Sequence, residues 1–171
     1  MSPEASSGTD GAPSLQEIHT PEGRCFGCGP ANDLGLRIRS LPVDGEGDEL
    51  VCHWRAAPHH EAFENVLNGG IIGALLDCHM NWAASWHLMR RDGLEQAPTT
   101  VTADYRIKLR RPTRRDAPLE LRARAVVSDG AKVTVEGELL AAGQVTARGS
   151  GSFVAVGPDH PAARHGQSRD S

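Results

Sequence analysis

At 171 residues the chain has the length of one domain with a real core and loose ends, and a composition 39% hydrophobic and 23% charged is that of an ordinary globular protein. A net charge of −4 gives no reason to expect nucleic acid as a partner. No apolar run is long enough for a membrane span and the N-terminal segment has no signal-peptide core, so a cytoplasmic protein with reduced cysteines is expected.

Residues 1–23 are dominated by Ser, Gly, Pro, Ala and acidic side chains, too little apolar surface to order a chain, and 157–171 have the same character; both are expected to be disordered tails around a domain at 24–156. From Arg24 to Asn32 the Gly, Pro and Asn content signals a loop. It contains Cys25 and Cys28 in a C-x-x-C, while Cys52 and Cys78 stand alone in a strand-like and a helical segment. A structural zinc would need two more ligands, with Cys52 and His53 the candidates, and no second C-x-x-C or finger-spaced histidine is present. The expectation is therefore no metal, and a tight Gly-rich turn packing two small side chains.

Leu34, Leu36 and Ile38 alternate with Gly35, Arg37 and Arg39, the pattern of a half-buried strand. After a turn, Glu49 to Arg55 reads as a second strand, which would pair with the first as a hairpin. Ala57 to Leu67 reads as a connecting loop. Adjacent His59 and His60 there suit a solvated loop, and His60 is kept as a candidate substrate contact.

The centre of the chain is Asn68-Gly-Gly-Ile-Ile-Gly-Ala-Leu-Leu-Asp77, which opens a helical pattern running to about Arg90. At 100° per residue Ile71, Ile72, Leu75, Trp82, Ala83, Trp86 and Met89 share one broad core face. Gly70, Gly73, Ala74, Asp77, Asn81 and Ala84 lie opposite, so a carboxylate sits in a strip of small side chains open to close approach. An unpaired carboxylate in an apolar helix is costly and marks a candidate site. His79 and His87 read as packing residues.

Asn68 is a favoured N-cap, and Gly69 and Gly70 leave backbone N–H groups at the positive end of the helix dipole, where an oxyanion can rest. Asp77 lies about 13 Å further along the axis and on another side. One helix cannot bring both ends to one reacting group. Two antiparallel copies can, which argues for a site shared between two chains.

Beyond Pro98 the period changes to two. A strand from Thr100 to Arg110 is followed by strand-like Leu119–Ser128, Lys132–Ala141 and Gln144–Val156, with Asp129-Gly130 and Ala142-Gly143 as turns. The order predicts an α+β domain, an antiparallel sheet curled around one long helix. Arg106, Lys108, Arg110, Arg111, Arg114 and Arg115 put six cations in ten positions, which suits either a solvated face or a phosphate-bearing ligand.

The Cys25-Phe-Gly-Cys-Gly-Pro-Ala-Asn-Asp-Leu-Gly-Leu36 loop, the Gly69-Gly-Ile-Ile-Gly-Ala-Leu-Leu-Asp77 helix start and the strands after it resemble the hotdog-fold acyl-CoA thioesterases of the PaaI-like (phenylacetyl-CoA thioesterase-like) group over residues 24–156. The resemblance implies a homodimer or a dimer of dimers with active sites between subunits. It implies Asp77 as the carboxylate that activates water or attacks the thioester, and Gly70 N–H as the donor to the thioester carbonyl. It implies an acyl-CoA substrate, whose CoA is not a separate cofactor, while the net charge and the lack of a long apolar run point to no nucleic-acid or membrane partner. Much of the family has His where this chain has Asn68; an Asn amide can donate to a carbonyl but carries no proton. The expected catalytic residues are Asp77, Asn68 and Gly70, and the expected substrate contacts Gly69, Gly73, Asn81, His60, Arg110 and Arg111. The alternative is a dimer that binds acyl-CoA without hydrolysing it.

Overall fold

In a computed structural model that describes residues 11–43 and 47–164, one helix lies across a six-stranded antiparallel sheet. The elements in chain order are α1 (Leu15–His19), β1 (Leu41–Pro42), β2 (Leu50–Trp54), β3 (Glu61–Phe63), β4 (Val66–Leu67), α2 (Gly69–Arg91), β5 (Thr100–Leu109), β6 (Leu119–Asp129), β7 (Lys132–Ala141) and β8 (Gln144–Ala155). The sheet order is β1-β2-β6-β7-β8-β5, with β3 and β4 a separate small hairpin. This is the expected single hotdog domain. No helix among the described residues is long and apolar enough to cross a membrane.

α2 begins where the sequence places it. Asn68 has an extended backbone, and its Oδ1 accepts from the N–H groups of Gly70 at 2.8 Å and Ile71 at 3.2 Å. Its burial is wider than one amphipathic face. Leu76, Met80 and Leu88 are buried along with Ile72, Leu75, Trp82 and Ala83, whereas Ile71, Trp86 and Met89 are only half-buried. The curved sheet covers more than half of the helix, so its apolar stripe exceeds the usual arc. Each fully buried Leu or Met contributes about 1.5–3 kcal/mol.

The close approach depends on two glycines. Gly137 of β7 and Gly149 of β8 are register partners beneath Met80. A Cβ at Gly137 would lie 2.9 Å from Met80 Cγ, and one at Gly149 would lie 3.1 Å from Met80 Cε. The gap left by these absent side chains is filled by the thioether.

The strands after α2 follow the predicted pattern, and the Asp129-Gly130 turn has its glycine at φ +56°. In the β7–β8 turn both Ala142 (φ +48°) and Gly143 (φ +79°) take the left-handed conformation that a two-residue hairpin requires.

Three expectations for the N-terminal half are corrected. Residues 34–39 form no strand, and Leu34 is 92% exposed, although Leu36 and Ile38 are buried. Arg37 sits at φ +55°, which breaks the alternation, and the backbone pairs with the Cys loop instead, Leu36 N–H to Phe26 O and Ile38 N–H to Gly27 O. The strand preceding β2 that pairs with it is accordingly β1, not residues 34–39. The connecting loop contains a helical turn at Pro58–His60 and the β3–β4 hairpin.

The N-terminal segment is also more ordered than its composition predicts. α1 has a complete capping box, with Ser14 Oγ accepting from Glu17 N–H and the Glu17 carboxylate accepting from Ser14 N–H. Leu15 and Gln16 are buried, and the Gln16 amide exchanges hydrogen bonds with Ser40. At the other end a helical turn at Pro161–Arg164 brings Ala162 and Ala163 to the wall of a cavity described below. Residues 1–10 and 165–171 lie outside the described residues.

Candidate active site

Asp77 projects from the third turn of α2 toward β5. Its Oδ1 accepts a 2.8 Å hydrogen bond from Thr102 Oγ1. Next to it Asn81 Nδ2 donates to Thr100 O, and Thr100 Oγ1 donates to Asn81 Oδ1 at 2.5 Å. These bonds fix Asn81 and leave the second Asp77 oxygen with no protein partner among the described residues. Burial pushes the Asp77 carboxyl above the usual Asp range, the Thr102 bond opposes the rise, and charge on Cys25 adds to it. A poorly solvated carboxylate with one oxygen unbonded can take a proton or attack an electrophile.

The carboxylate opens on a cavity of about 270 Å³ between α2, the Cys loop, the start of β5 and the C-terminal turn. Trp82, Pro98 and Thr100 give it a partly apolar lining, and Cys25, Cys28 and Cys78 form its wall toward the loop. Sequence reasoning missed Thr100, Thr102 and Trp82. Trp82 was assigned to the core and is indeed 9% exposed, but its indole N–H points outward and donates to Cys28 Sγ at 3.4 Å.

The strand that carries the threonines also explains why they were hard to place. Thr102 faces the helix, and so does Tyr105, whose hydroxyl is 3.6 Å from where a Gly73 Cβ would be. A bulge between Thr102 and Asp104 changes the parity of the strand. Beyond it Tyr105, Ile107 and Leu109 lie on the helix side, with Leu109 close to Gly69. Arg106, Lys108 and Arg110 lie on the other face of the sheet, where they share a shallow concavity with Glu136, Glu138 and Arg148.

Asn68, Gly69 and Gly70 lie at the far end of α2 and do not line the Asp77 cavity. The Gly70 N–H is engaged by Asn68 Oδ1. Asn68 N–H in turn donates to His60 O, so His60 supports the helix start through its backbone. The His60 ring accepts at Nδ1 from Ala57 N–H and packs on Trp54, and burial with His59 beside it lowers its pKa. Gly73 and Asn81 line opposite ends of the β5 contact. Arg114 is paired with Asp116 and Arg115 with Glu61, while Arg110 and Arg111 have no ion pair among the described residues and line a concavity with Arg148 and Gln144.

His79 is the packing residue that was expected. It is fully buried between Ser40 Oγ and Leu50 O, and burial lowers its pKa to about 4. His87 pairs with Asp48. Cys52 is buried in β2 with its thiol pushed up to about 11, and His53 pairs with Glu120, so neither is a partner for the Cys loop. Cys78 is: its Sγ lies 3.7 Å from that of Cys25, a contact that the isolated position of Cys78 in the sequence did not predict.

No family model matches the sequence, and no curated protein matches it. Solved structures do. A thioesterase superfamily protein from Shewanella loihica PV-4 is 29% identical, covering 75% of this chain and 98% of its own, with a TM-score of 0.59. A phenylacetic acid degradation-related protein from Ralstonia eutropha JMP134 superimposes with a TM-score of 0.63 at 21% identity over 82% of this chain and 98% of its own. The PaaI protein from the phenylacetic acid degradation operon of E. coli does so with a TM-score of 0.59 at 17% identity, over 71% and 81% of the two chains. The chain thus has the hotdog fold and is similar to solved proteins of the thioesterase superfamily.

Proposed function

We propose that the chain hydrolyses an acyl thioester, with acyl-CoA the substrate class, at a site completed by a second copy. The observation that carries this reading is Asp77, a desolvated carboxylate with one oxygen held by Thr102 and the other facing a cavity. Asp77 either takes a proton from the attacking water or attacks the thioester carbon to give an anhydride that water then cleaves. The C–S bond breaks, the carboxylic acid leaves with the water oxygen, and the thiolate takes up the proton.

The carbonyl oxygen needs donors, and the Asp77 cavity of a single chain offers few. The start of α2 has them, but about 13 Å away along the helix. β5 is the last strand of the sheet, so its outer edge is unpaired among the described residues. Antiparallel pairing of two β5 edges about a twofold axis would set the two α2 helices antiparallel, with the N-terminus of one toward Asp77 of the other. In that arrangement Asn68 Nδ2 and the first N–H groups of α2 serve as the oxyanion donors. Arg110 and Arg111, at the end of the same edge strand and free of ion pairs among the described residues, are assigned to the CoA phosphates.

Asn68 favours one second reading. Its Oδ1 already occupies Gly70 N–H, and its amide supplies no proton, so a carbonyl must displace the cap or make do with Nδ2. This would suit a dimer that binds acyl-CoA and does not turn it over. Hydrolysis of short, medium, long and aromatic acyl-CoAs separates the two. Turnover by the native protein that is lost in Asp77→Ala supports the thioesterase. Turnover that appears only in Asn68→His, with acyl-CoA raising the native Tm, supports the binding protein.

A further inference from the structure

The Cys loop and α2 bring three thiols together. Cys25 and Cys28 come from the C-x-x-C, Cys78 from the helix position after Asp77, and their three sulfurs lie within 4.8 Å of one another. Four features make this more than a coincidence of packing.

The first is distance. A tetrahedral zinc with Zn–S bonds of about 2.3 Å has sulfurs about 3.8 Å apart, and Cys25 Sγ and Cys78 Sγ are separated by 3.7 Å. The spacing is far from the ~2.05 Å of a disulfide. The second is the turn. The backbone N–H groups of Gly27 and Cys28 point at Cys25 Sγ. A turn whose amides converge on its first sulfur is built to stabilise negative charge there.

The third is the indole N–H of Trp82, which donates to Cys28 Sγ and supplies the outer-shell hydrogen bond that metal-bound thiolates commonly receive. The fourth is Gly27. A Cβ there would collide with Cys78 Sγ, so the loop can seat its sulfurs on the helix only because this position lacks a side chain.

From this geometry we infer that Cys25, Cys28 and Cys78 bind one zinc ion as three thiolates, with the fourth position open to the cavity that holds Asp77. Zinc binding displaces the three thiol protons to solvent and involves no change of oxidation state. Three protein ligands with an exchangeable fourth is the arrangement of a zinc site that keeps an open position, not of a closed structural site. The ion would also fasten residues 25–28, which have no strand of their own, to α2. The inference does not rest on the thioesterase reading, since metal content and hydrolysis are measured separately.

The test uses cobalt(II) as the spectroscopic probe, added to the full-length reduced protein and then displaced by zinc. One equivalent of cobalt per chain is expected, with intense sulfur-to-cobalt charge transfer and tetrahedral visible bands. Cys25→Ser, Cys28→Ser and Cys78→Ser should each weaken binding at least tenfold, while Cys52→Ser leaves it unchanged. Zinc should raise the Tm of the native protein and not that of Cys78→Ser, whose far-ultraviolet dichroism must match the native form. Absence of thiolate charge transfer in the fully reduced protein overturns the inference. Binding that survives Cys78→Ser overturns it as well, because that metal would sit on other groups such as the C-terminal histidines.

Discussion

Thr102 Oγ1 donates to Asp77 Oδ1 at 2.8 Å, joining the edge strand β5 to the middle of α2 by a charge-assisted bond. That bond is the one influence holding the Asp77 pKa down against burial and the nearby Cys25. Thr102→Val keeps the shape and removes the donor, so the Asp77 pKa should rise further. If hydrolysis requires the ionised carboxylate, the acid limb of the kcat/KM profile moves to higher pH. An unchanged limb, measured on an acyl-CoA the native protein hydrolyses, would mean that Asp77 is not the titrating group.

Asp77→Asn should lower hydrolysis by about 100-fold or more, the usual effect of losing a general base. It should also stabilise the fold. Asp77 has a raised pKa in the folded chain, so the folded state binds more protons just above the unfolded value of 3.8 and loses stability as pH rises through its own pKa. The variant should therefore melt higher than the native protein at pH 7, with the difference closing at pH values below 3.8, as thermal melts at several pH values would register.

His79 sets the opposite slope. Its folded pKa of about 4 lies below the unfolded 6.5, so the unfolded chain binds the extra proton in that window and stability falls as pH drops from 6.5 toward 4. The full loss is roughly 3 kcal/mol. Glu17 and Asp116, both held to about 2, lose their contributions only at lower pH and do not mask it. Urea unfolding at pH 7 and pH 5 should show the drop, and His79→Gln should reduce it.

Ala142 occupies a left-handed position at φ +48° where a Cβ costs about 1–2 kcal/mol. Ala142→Asn, which tolerates that conformation and suits the turn before Gly143, should raise stability by about 0.5–1 kcal/mol with no effect on the site. Differential scanning calorimetry should detect a rise of a few degrees; a lower Tm would contradict the turn assignment.

Charge reversal at Arg110 and Arg111 should raise KM for acyl-CoA much more than for a short pantetheine thioester, which lacks the nucleotide phosphates. Equal effects on both substrates would remove these arginines from the binding site.

What the sequence made legible was local. Asn68 with two glycines fixed the start of α2, and period-two segments separated by Asp-Gly and Ala-Gly located β6, β7 and β8. What it concealed depended on distant partners. Leu76 and Met80 are core because the sheet wraps the helix beyond the width of one face. The alternation at 34–39 was genuine in burial for Leu36 and Ile38, yet Arg37 in the left-handed region and bonds to Phe26 and Gly27 took that backbone out of the sheet. Asp77 could be selected because a carboxylate is costly in an apolar helix, whereas Thr102 looked like any polar residue on a strand, and Cys78 acquired its significance only when the loop folded onto it.

The β5 bulge makes Ala103 a spare residue. Thr102 pairs with Phe153, Asp104 with Ser152 and Tyr105 with Gly151, three consecutive partners on β8 for a stretch of four on β5. Excising Ala103 would leave every one of those partners in place, Thr102 and Tyr105 still facing α2 and Arg106 still facing away, and would only straighten the free edge. Removing a residue from the unbulged stretch Tyr105–Leu109 would instead turn its cations toward Met80 and its apolar side chains toward water. A strand read residue by residue as uniform therefore has one position where the chain can shorten without consequence for the interior, next to several where it cannot.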